Sequence, residues 1–128
     1  MSLRVVRLGS ERRADEGIRI GTVRRPPRGV PRAEFASRNW YDVWFPNLAP
    51  SLEIMKLGLA ATTPAERAAF FKKYRAEMSK PEASHTLDLL VALSRDTNFS
   101  VGCYCEDEAH CHRSVLRTLL IEKGAEIV

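Results

Sequence analysis

The sequence lacks long hydrophobic runs and has few cysteines. No apolar stretch among its 128 residues approaches the roughly 18 that a membrane-spanning helix needs, so we expect no membrane partner. The first ten residues, MSLRVVRLGS, also lack the apolar segment of a secretory signal. The three cysteines are an odd number, which does not fit a fold held together by disulfides. We therefore expect a cytoplasmic protein.

Acidic residues are scarce in the first quarter of the chain. Residues 1–32 hold nine arginines against three acidic residues, whereas the remainder holds eleven basic and thirteen acidic residues. This asymmetry indicates that the N-terminal segment faces an anion: an anionic small molecule, a nucleotide, a nucleic acid or an acidic face of the protein itself. No aromatic residues interleave with these arginines. The prediction of a nucleic-acid partner therefore depends on charge alone.

Hydrophobic periodicity and turn signals divide the chain into short strands and longer helices. Strands are predicted where apolar residues alternate or cluster between turns, at 3–8, 18–23, 41–45 and 99–105. Helices are predicted from capping residues followed by apolar residues at helical spacing, at 52–60, 62–78, 82–96 and 110–124. The last residues, AEIV, predict one more strand.

Strands that alternate with helices are typical of an α/β fold with an at least partly parallel sheet. We predict a single compact α/β domain over residues 1–128, with a mostly parallel sheet of four to five strands flanked by helices. In such sheets, ligands bind beyond the carboxyl ends of the strands. The segment CYCEDEAHCHRS, residues 103–114, lies at that position, between a predicted strand and a predicted helix.

Cys111, His112 and Arg113 are the candidate catalytic residues. They fall at the predicted helix start, where unpaired backbone N–H groups and the helix dipole favour anions and lower the pKa of a thiol. Arg113 adds a planar fork of donors suited to phosphate or carboxylate. The residues at this helix start therefore predict an anion-binding site, with Cys111 as a nucleophile and His112 as a proton-transfer group.

The same segment also contains four candidate metal ligands, Cys103, Cys105, Cys111 and His112, which suit zinc in number and softness. Their spacing is unlike common zinc motifs, and adjacent helical residues such as Cys111 and His112 point about 100° apart. Two other interpretations stay open: a redox-sensitive disulfide between Cys105 and Cys111, or small buried side chains without chemistry. The sequence identifies no cofactor, and zinc is the metal its cysteines favour.

A stiff cationic loop, RRPPRGVP at residues 24–31, contains three prolines. Its arginines are therefore candidate ligand-binding residues in a loop that covers the predicted site: Arg24, Arg25 and Arg28. Asp42 interrupts the apolar run YDVWF, which predicts a buried strand. Because a lone buried carboxylate is costly, Asp42 either binds the ligand or pairs with an arginine of this loop, and we favour the pairing.

The blocks YDVWFPNLAPS, FFKKYRAEM and CYCEDEAHCHRSVL occur in an order that resembles the family known as domain of unknown function 488, in particular its YeaO-like branch. The matching features are an aspartate-containing strand, LAPS, an F-x-x-x-Y helix and a DE-x-H segment. In wider members a Cys-His-Arg at a strand-to-helix junction is the signature, which falls here on Cys111, His112 and Arg113. The three cysteines mark a branch that differs from many YeaO-like relatives. The resemblance implies a compact α/β fold and brings no established reaction.

Together these patterns predict a protein that binds a phosphate-bearing small molecule or nucleotide at the Cys-His-Arg junction. Thiol-based catalysis is the enzymatic version of this hypothesis. One alternative is a non-enzymatic module that binds zinc or responds to redox conditions through its cysteines. Another is a basic protein that binds nucleic acid. The sequence does not decide whether a reaction is catalysed.

Overall fold

A four-stranded parallel sheet lies at the centre of the protein. The computed structural model describes residues 2–128, and its strands are β1 (Leu3–Arg7), β2 (Ile18–Gly21), β3 (Val43–Trp44) and β4 (Phe99–Cys103). The strand order is β1-β4-β2-β3, so β4 is hydrogen-bonded on both sides. Every pair is parallel, and all carboxyl ends therefore meet at one edge of the sheet. The predicted α/β architecture is confirmed.

Four helices pack with the sheet: α1 (Leu52–Ala60), α2 (Pro64–Met78), α3 (Pro81–Ser94) and α4 (His112–Glu122). Strands and helices share a main apolar core, and a smaller buried cluster contains Cys103 and Cys111. The fully buried members of the main core include Leu3, Leu48, Tyr74, Leu87, Val101, Leu116 and Leu120. Burial of such side chains is the main favourable contribution to folding. In the part of the chain that the structure describes, no helix is long and apolar enough to cross a bilayer.

The helix starts follow the capping residues read from the sequence. The side chain of Ser51 accepts a hydrogen bond from the backbone N–H of Ile54, and that of Thr63 accepts one from Glu66. Pro64 occupies the first turn of α2, where the missing N–H would have no partner inside the helix. These local interactions set where α1 and α2 begin.

The strands are shorter than predicted, and two segments depart most from the prediction. The run 41–45 forms only the short strand β3 at the edge of the sheet, where Val43 and Trp44 are 44% and 43% exposed. An edge strand is paired on one side only, so an apolar run there need not be buried. The C-terminal AEIV segment contributes an isolated bridge between Leu3 and Ile127.

A buried ion pair lies against the second face of the sheet. Arg19 and Ser100 are register partners on β2 and β4 and alternate with the core residues Ile20 and Val101, so they project from the opposite face. Arg19 is fully buried, and its Nε and Nη2 donate to the two carboxylate oxygens of Glu16 at 2.7 and 3.0 Å. The Ser100 hydroxyl donates to the same carboxylate at 2.7 Å. This network fixes the loop before β2 onto the sheet.

The stability of the protein is expected to depend on pH through Glu16. Burial by itself raises the pKa of this carboxyl, but hydrogen bonds from Arg19 and Ser100 and the charge of Arg19 lower it below its ordinary value. Because the unfolded pKa is about 4.3, the carboxylate stabilises the fold above that pH. The contribution is lost as the pH falls through the folded pKa.

Glu16→Gln tests this dependence. The slope of the unfolding free energy against pH should decrease in the acidic window by up to about 1.4 kcal/mol per pH unit, the contribution of one proton. Urea titrations of both chains between about pH 3 and 6 measure the slope. Identical slopes would contradict a lowered pKa at Glu16.

Candidate functional site

The candidate site lies where the chain passes from β4 into α4. The strand ends at Cys103, and the following loop contains a one-turn 3-10 helix, Glu108–His110. Asp107 caps this turn by accepting a hydrogen bond from the backbone N–H of Ala109 at 2.9 Å. The turn brings Cys111, the residue before α4, back to the end of the strand.

Three buried side chains, Cys103, Cys111 and His112, converge here and form what we call the Cys-His cluster; they are 2%, 1% and 7% exposed. One potential ligand atom from each lies within 4.8 Å of the others. The Sγ of Cys111 is 3.7 Å from Nδ1 of His112. Cys103 and Cys111 are paired as a disulfide, and their Cα atoms are 7.9 Å apart. Cα atoms of disulfide partners are usually roughly 4.4–6.8 Å apart, wider pairs needing backbone movement.

The prediction that Cys111 and His112 point in different directions is wrong. Cys111 is the N-cap of α4, with an extended backbone at φ −109° and ψ 154°. An N-cap residue lies outside the regular helical spiral, so the rotation of about 100° per residue does not apply to it. The two adjacent side chains can therefore face the same point.

The ring of His112 is held by the backbone carbonyl of Thr22, which lies 2.9 Å from Nε2. Because a carbonyl oxygen only accepts, Nε2 carries the hydrogen and Nδ1 of the neutral ring presents its lone pair to Cys111. Burial and the charge of Arg113 lower the pKa of His112 to about 4, against the opposing effect of the Thr22 hydrogen bond. The ring is therefore neutral at pH 7. Tyr74 packs edge-on against it.

A pocket of about 250 Å³ opens over the Cys-His cluster, all of whose members line it. Its other walls are mainly apolar and include Met55, Leu59 and Phe70. Pockets of this composition bind the apolar or aromatic part of a ligand and use a few polar groups to orient it. The pocket therefore suits an organic ligand better than a bare inorganic anion.

A second cavity of about 540 Å³, which we call the arginine groove, adjoins this pocket. The two share Arg25 and Tyr104 as lining residues. The groove is also lined by Arg7, Arg28 and Trp40. The rings of Trp40 and Tyr104 pack edge to face, with centroids 5.7 Å apart. Positive charge and aromatic surface thus lie side by side next to the Cys-His cluster.

Arg113 is buried at 3% exposure, and its Nη2 donates to the carbonyl oxygen of Cys105 at 2.6 Å. Burial lowers the pKa of this guanidinium. Arg113 is not among the residues that line the pocket. In this structure it holds the loop after β4 in place.

The prediction that Cys105 shares a strand face with Cys103 is wrong, because β4 ends at Cys103. Cys105 is exposed and lies outside the Cys-His cluster, although it lines the pocket. The predicted Cys105–Cys111 pairing is also wrong, since Cys103 is the cysteine that contacts Cys111. The loop passes outward at Cys105 and returns at Cys111, which separates these two sulfurs.

Arg24 and Asp42 take part in contacts that stabilise the fold. The Nε of Arg24 donates to the carbonyl oxygen of Pro50 at 3.0 Å. Asp42 accepts hydrogen bonds from the Arg12 guanidinium at 2.7 Å and from the backbone N–H of Arg19 at 2.8 Å. The expected carboxylate–arginine pair is present, but its arginine does not come from the proline-rich loop.

Two residues contribute to the site without a signal in the sequence. Thr22 acts through its backbone carbonyl, which every residue type carries, so no motif could identify it. Phe70 has the helical spacing of a core residue and is indeed 5% exposed, yet its ring also forms a wall of the pocket. Core packing and pocket lining require the same residue type at this position.

Fold and site together define a small α/β protein with a buried Cys-His cluster at the carboxyl ends of parallel strands. A sequence model described as the active DUF488-N3 subclade matches residues 3–124. The chain therefore belongs to the DUF488-N3a family, which confirms its resemblance to domain of unknown function 488. No curated protein and no solved structure matches the chain.

Proposed function

We propose that the chain is a thiol-dependent enzyme that acts on a phosphate-bearing ligand of the nucleotide class. One observation carries the proposal: the Cys111 sulfur, which is a thiol once its disulfide with Cys103 is reduced, faces the lone pair of His112 Nδ1 at the base of a pocket that joins the arginine groove. A nucleophile beside a base that a third group orients is a recurrent arrangement in covalent catalysis. The family's description as an active subclade also favours catalysis.

In the proposed reaction, the Sγ of Cys111 bonds to an electrophilic atom of the ligand while the thiol proton passes to Nδ1 of His112. The bond from that atom to the leaving group breaks, and the leaving group takes the proton from Nδ1. Water then releases the group bound to sulfur. Thr22 is a positioning residue, since its carbonyl keeps Nδ1 turned towards the sulfur. The N-terminal end of α4 favours the thiolate, because its unpaired N–H groups carry partial positive charge.

Arg25 and Arg28 are the proposed phosphate-binding residues. Both are exposed in the arginine groove, and within residues 2–128 their side chains have no carboxylate partner. Other arginines of the first quarter, such as Arg12 and Arg19, are paired with carboxylates. Guanidinium groups with free donors bind phosphate oxygens in a planar, two-point contact.

The aromatic rings beside these arginines favour a nucleotide over other phosphate esters. Trp40 and Tyr104 line the groove, and the adjoining pocket has apolar walls that suit a base or sugar. A long nucleic acid is less well matched, because it gains affinity from a row of phosphate contacts and the groove offers few unpaired arginines.

The double substitution Arg25→Ala/Arg28→Ala is expected to weaken nucleotide binding at least tenfold. A hydrogen bond to a charged group contributes about 1.5–3 kcal/mol, and about 1.4 kcal/mol corresponds to a factor of ten. Because Trp40 lines the groove, intrinsic fluorescence can follow titrations with adenosine and guanosine monophosphate, and with inorganic phosphate for comparison. The matched control, Arg13→Ala/Lys73→Ala, removes two exposed charges outside the groove and should bind normally.

Equal weakening in both double variants would contradict the groove as the phosphate site. The absence of saturable binding by either nucleotide would contradict the proposed ligand class. Binding that falls steeply with salt and strengthens with oligonucleotide length would instead support the nucleic-acid alternative.

A further inference from the structure

We propose that Cys103, Cys111 and His112 form a three-ligand site for a divalent transition metal of the zinc type. The first support is distance. Zinc bonds of about 2.3 Å to sulfur and about 2.0–2.1 Å to nitrogen, at a tetrahedral angle, place the two ligand atoms about 3.6 Å apart. The Sγ of Cys111 and Nδ1 of His112 are 3.7 Å apart. All three ligand atoms lie within 4.8 Å of one another.

The orientation of the imidazole supplies an independent argument. Metal-binding histidines commonly donate their second ring N–H to a carbonyl or carboxylate, which fixes the tautomer and aims the free nitrogen at the ion. In this protein the Thr22 carbonyl receives the Nε2 hydrogen at 2.9 Å, and Nδ1 faces the sulfurs. A histidine that only filled space in the core would not need its second nitrogen turned towards two thiols.

The donor set selects among metals. Two thiols and one imidazole are soft or borderline ligands, which favour zinc or copper(I) over magnesium and calcium. No carboxylate belongs to the cluster among the residues that the structure describes. Two thiolates also balance the charge of a divalent ion, so that the centre can be buried without a large excess charge. In this structure Cys103 and Cys111 are joined as a disulfide, so the site forms in the reduced chain, where the two sulfurs separate to the distance of about 3.8 Å that a tetrahedral zinc requires.

Three protein ligands leave a tetrahedral ion with one further position. Catalytic zinc sites keep this position for water or substrate, whereas structural sites fill it with a fourth side chain. All three proposed ligands line the pocket, and Cys105 lies outside the cluster. The fourth position would therefore face the pocket. The inference goes beyond the proposed function and does not rest on it, because metal binding is measured without a nucleotide.

The metal site would also give the proposed thiol chemistry a specific form. A thiol that coordinates zinc is held as the thiolate, which is the nucleophilic species. The Cys111 sulfur would then be ready to attack without first giving its proton to a ring nitrogen, and the leaving group would take its proton from water. If the ligand instead bound directly to the ion, the ion would polarise it as a Lewis acid.

The test uses the full chain, purified under reducing conditions, stripped with a chelator and titrated with zinc in competition with a chromophoric chelator. We expect one zinc per chain. Cobalt(II) in place of zinc should give the intense absorption of a tetrahedral centre together with thiolate-to-metal charge transfer. Cys103→Ser and Cys111→Ser should each weaken zinc binding by at least about 100-fold, since even indirect contacts to a ligand contribute about 10–100-fold. The matched control Cys105→Ser should bind zinc normally.

If a serine variant fails to fold, the alkylation rates of the three cysteines in the unaltered chain, measured with and without zinc, still test the proposal. Zinc should slow the alkylation of Cys103 and Cys111 and leave that of Cys105 unchanged. Zinc that binds at less than about a tenth of an equivalent, protects all three thiols equally or is lost in Cys105→Ser would overturn the proposal. A Cys103–Cys111 disulfide that persists under reducing conditions would do the same. If zinc does not bind but the chelator-stripped chain binds a nucleotide, the metal proposal is wrong and the proposed ligand class is still supported.

Discussion

Replacing His112 with asparagine is expected to slow the alkylation of Cys111 by iodoacetamide about 10²–10⁴-fold in the reduced, metal-free chain, the usual contribution of a positioned proton acceptor. In the native protein, Nδ1 faces the Cys111 sulfur at 3.7 Å and carries the lone pair. Asparagine puts an amide group near the place of Nδ1, but an amide is not a base. Mass spectrometry of peptides from timed reactions measures the rate for each cysteine separately.

His112→Gln separates the chemical role of the ring from its structural one. The longer side chain can place an N–H near the former Nε2 position and donate to the Thr22 carbonyl, so it should preserve stability better than asparagine. Its Cys111 should nevertheless react as slowly as in His112→Asn. Cys105 is exposed and outside the cluster, so its rate should stay constant in every sample. Native rates at Cys111 in both variants would contradict His112 as the proton acceptor.

Arg19→Met is expected to lower the free energy of unfolding by about 3–5 kcal/mol, the usual cost of removing one partner of a buried ion pair. Methionine retains much of the packing volume, but the carboxylate of Glu16, 2% exposed, loses its counter-charge. The carbonyl oxygens of Ser10 and Asn39 also lose the donor Nη1, which lies 2.9 and 2.8 Å from them. Urea denaturation of the two chains gives the difference.

A matched substitution checks that this loss comes from burial. Arg38 and Glu34 form a half-exposed pair 3.9 Å apart, so Arg38→Met should change stability by less than about 1 kcal/mol. The double variant Glu16→Gln/Arg19→Met should be more stable than the sum of the two single effects predicts, because it leaves no unpaired buried charge. Similar losses in Arg19→Met and Arg38→Met would show that the network contributes little.

Most of the fold could be predicted from the sequence because its signals are local. Ser51 and Thr63 cap the helices that follow them, and these contacts depend on residues three positions apart. The position of a strand within the sheet is not local. The apolar run that contains Val43 predicts a buried strand, but whether a strand is central or at the edge depends on pairing between distant segments.

The location of the site could also be predicted, while its geometry could not. Cys111 and His112 lie between a strand and a helix, as the sequence predicts, since the pattern changes sharply there. Their convergence depends on the extended backbone of Cys111, which sequence periodicity does not reveal. The tautomer of His112 depends on the carbonyl of Thr22, ninety residues away in sequence. The motif predicts Arg113 as a ligand-facing donor, but a motif does not show which side chain turns inward to the backbone.

The central claim is that His112 turns a lone pair on Nδ1 towards the thiol of Cys111, and nitrogen NMR of the imidazole rings tests it most directly. The chain has only three histidines, and His85 and His110 are exposed, so they provide internal references. Long-range ¹H–¹⁵N correlation of the metal-free chain at pH 7 should show Nε2 of His112 protonated and Nδ1 unprotonated. A proton on Nδ1, or on both nitrogens, would contradict the account, because neither form leaves a lone pair facing Cys111.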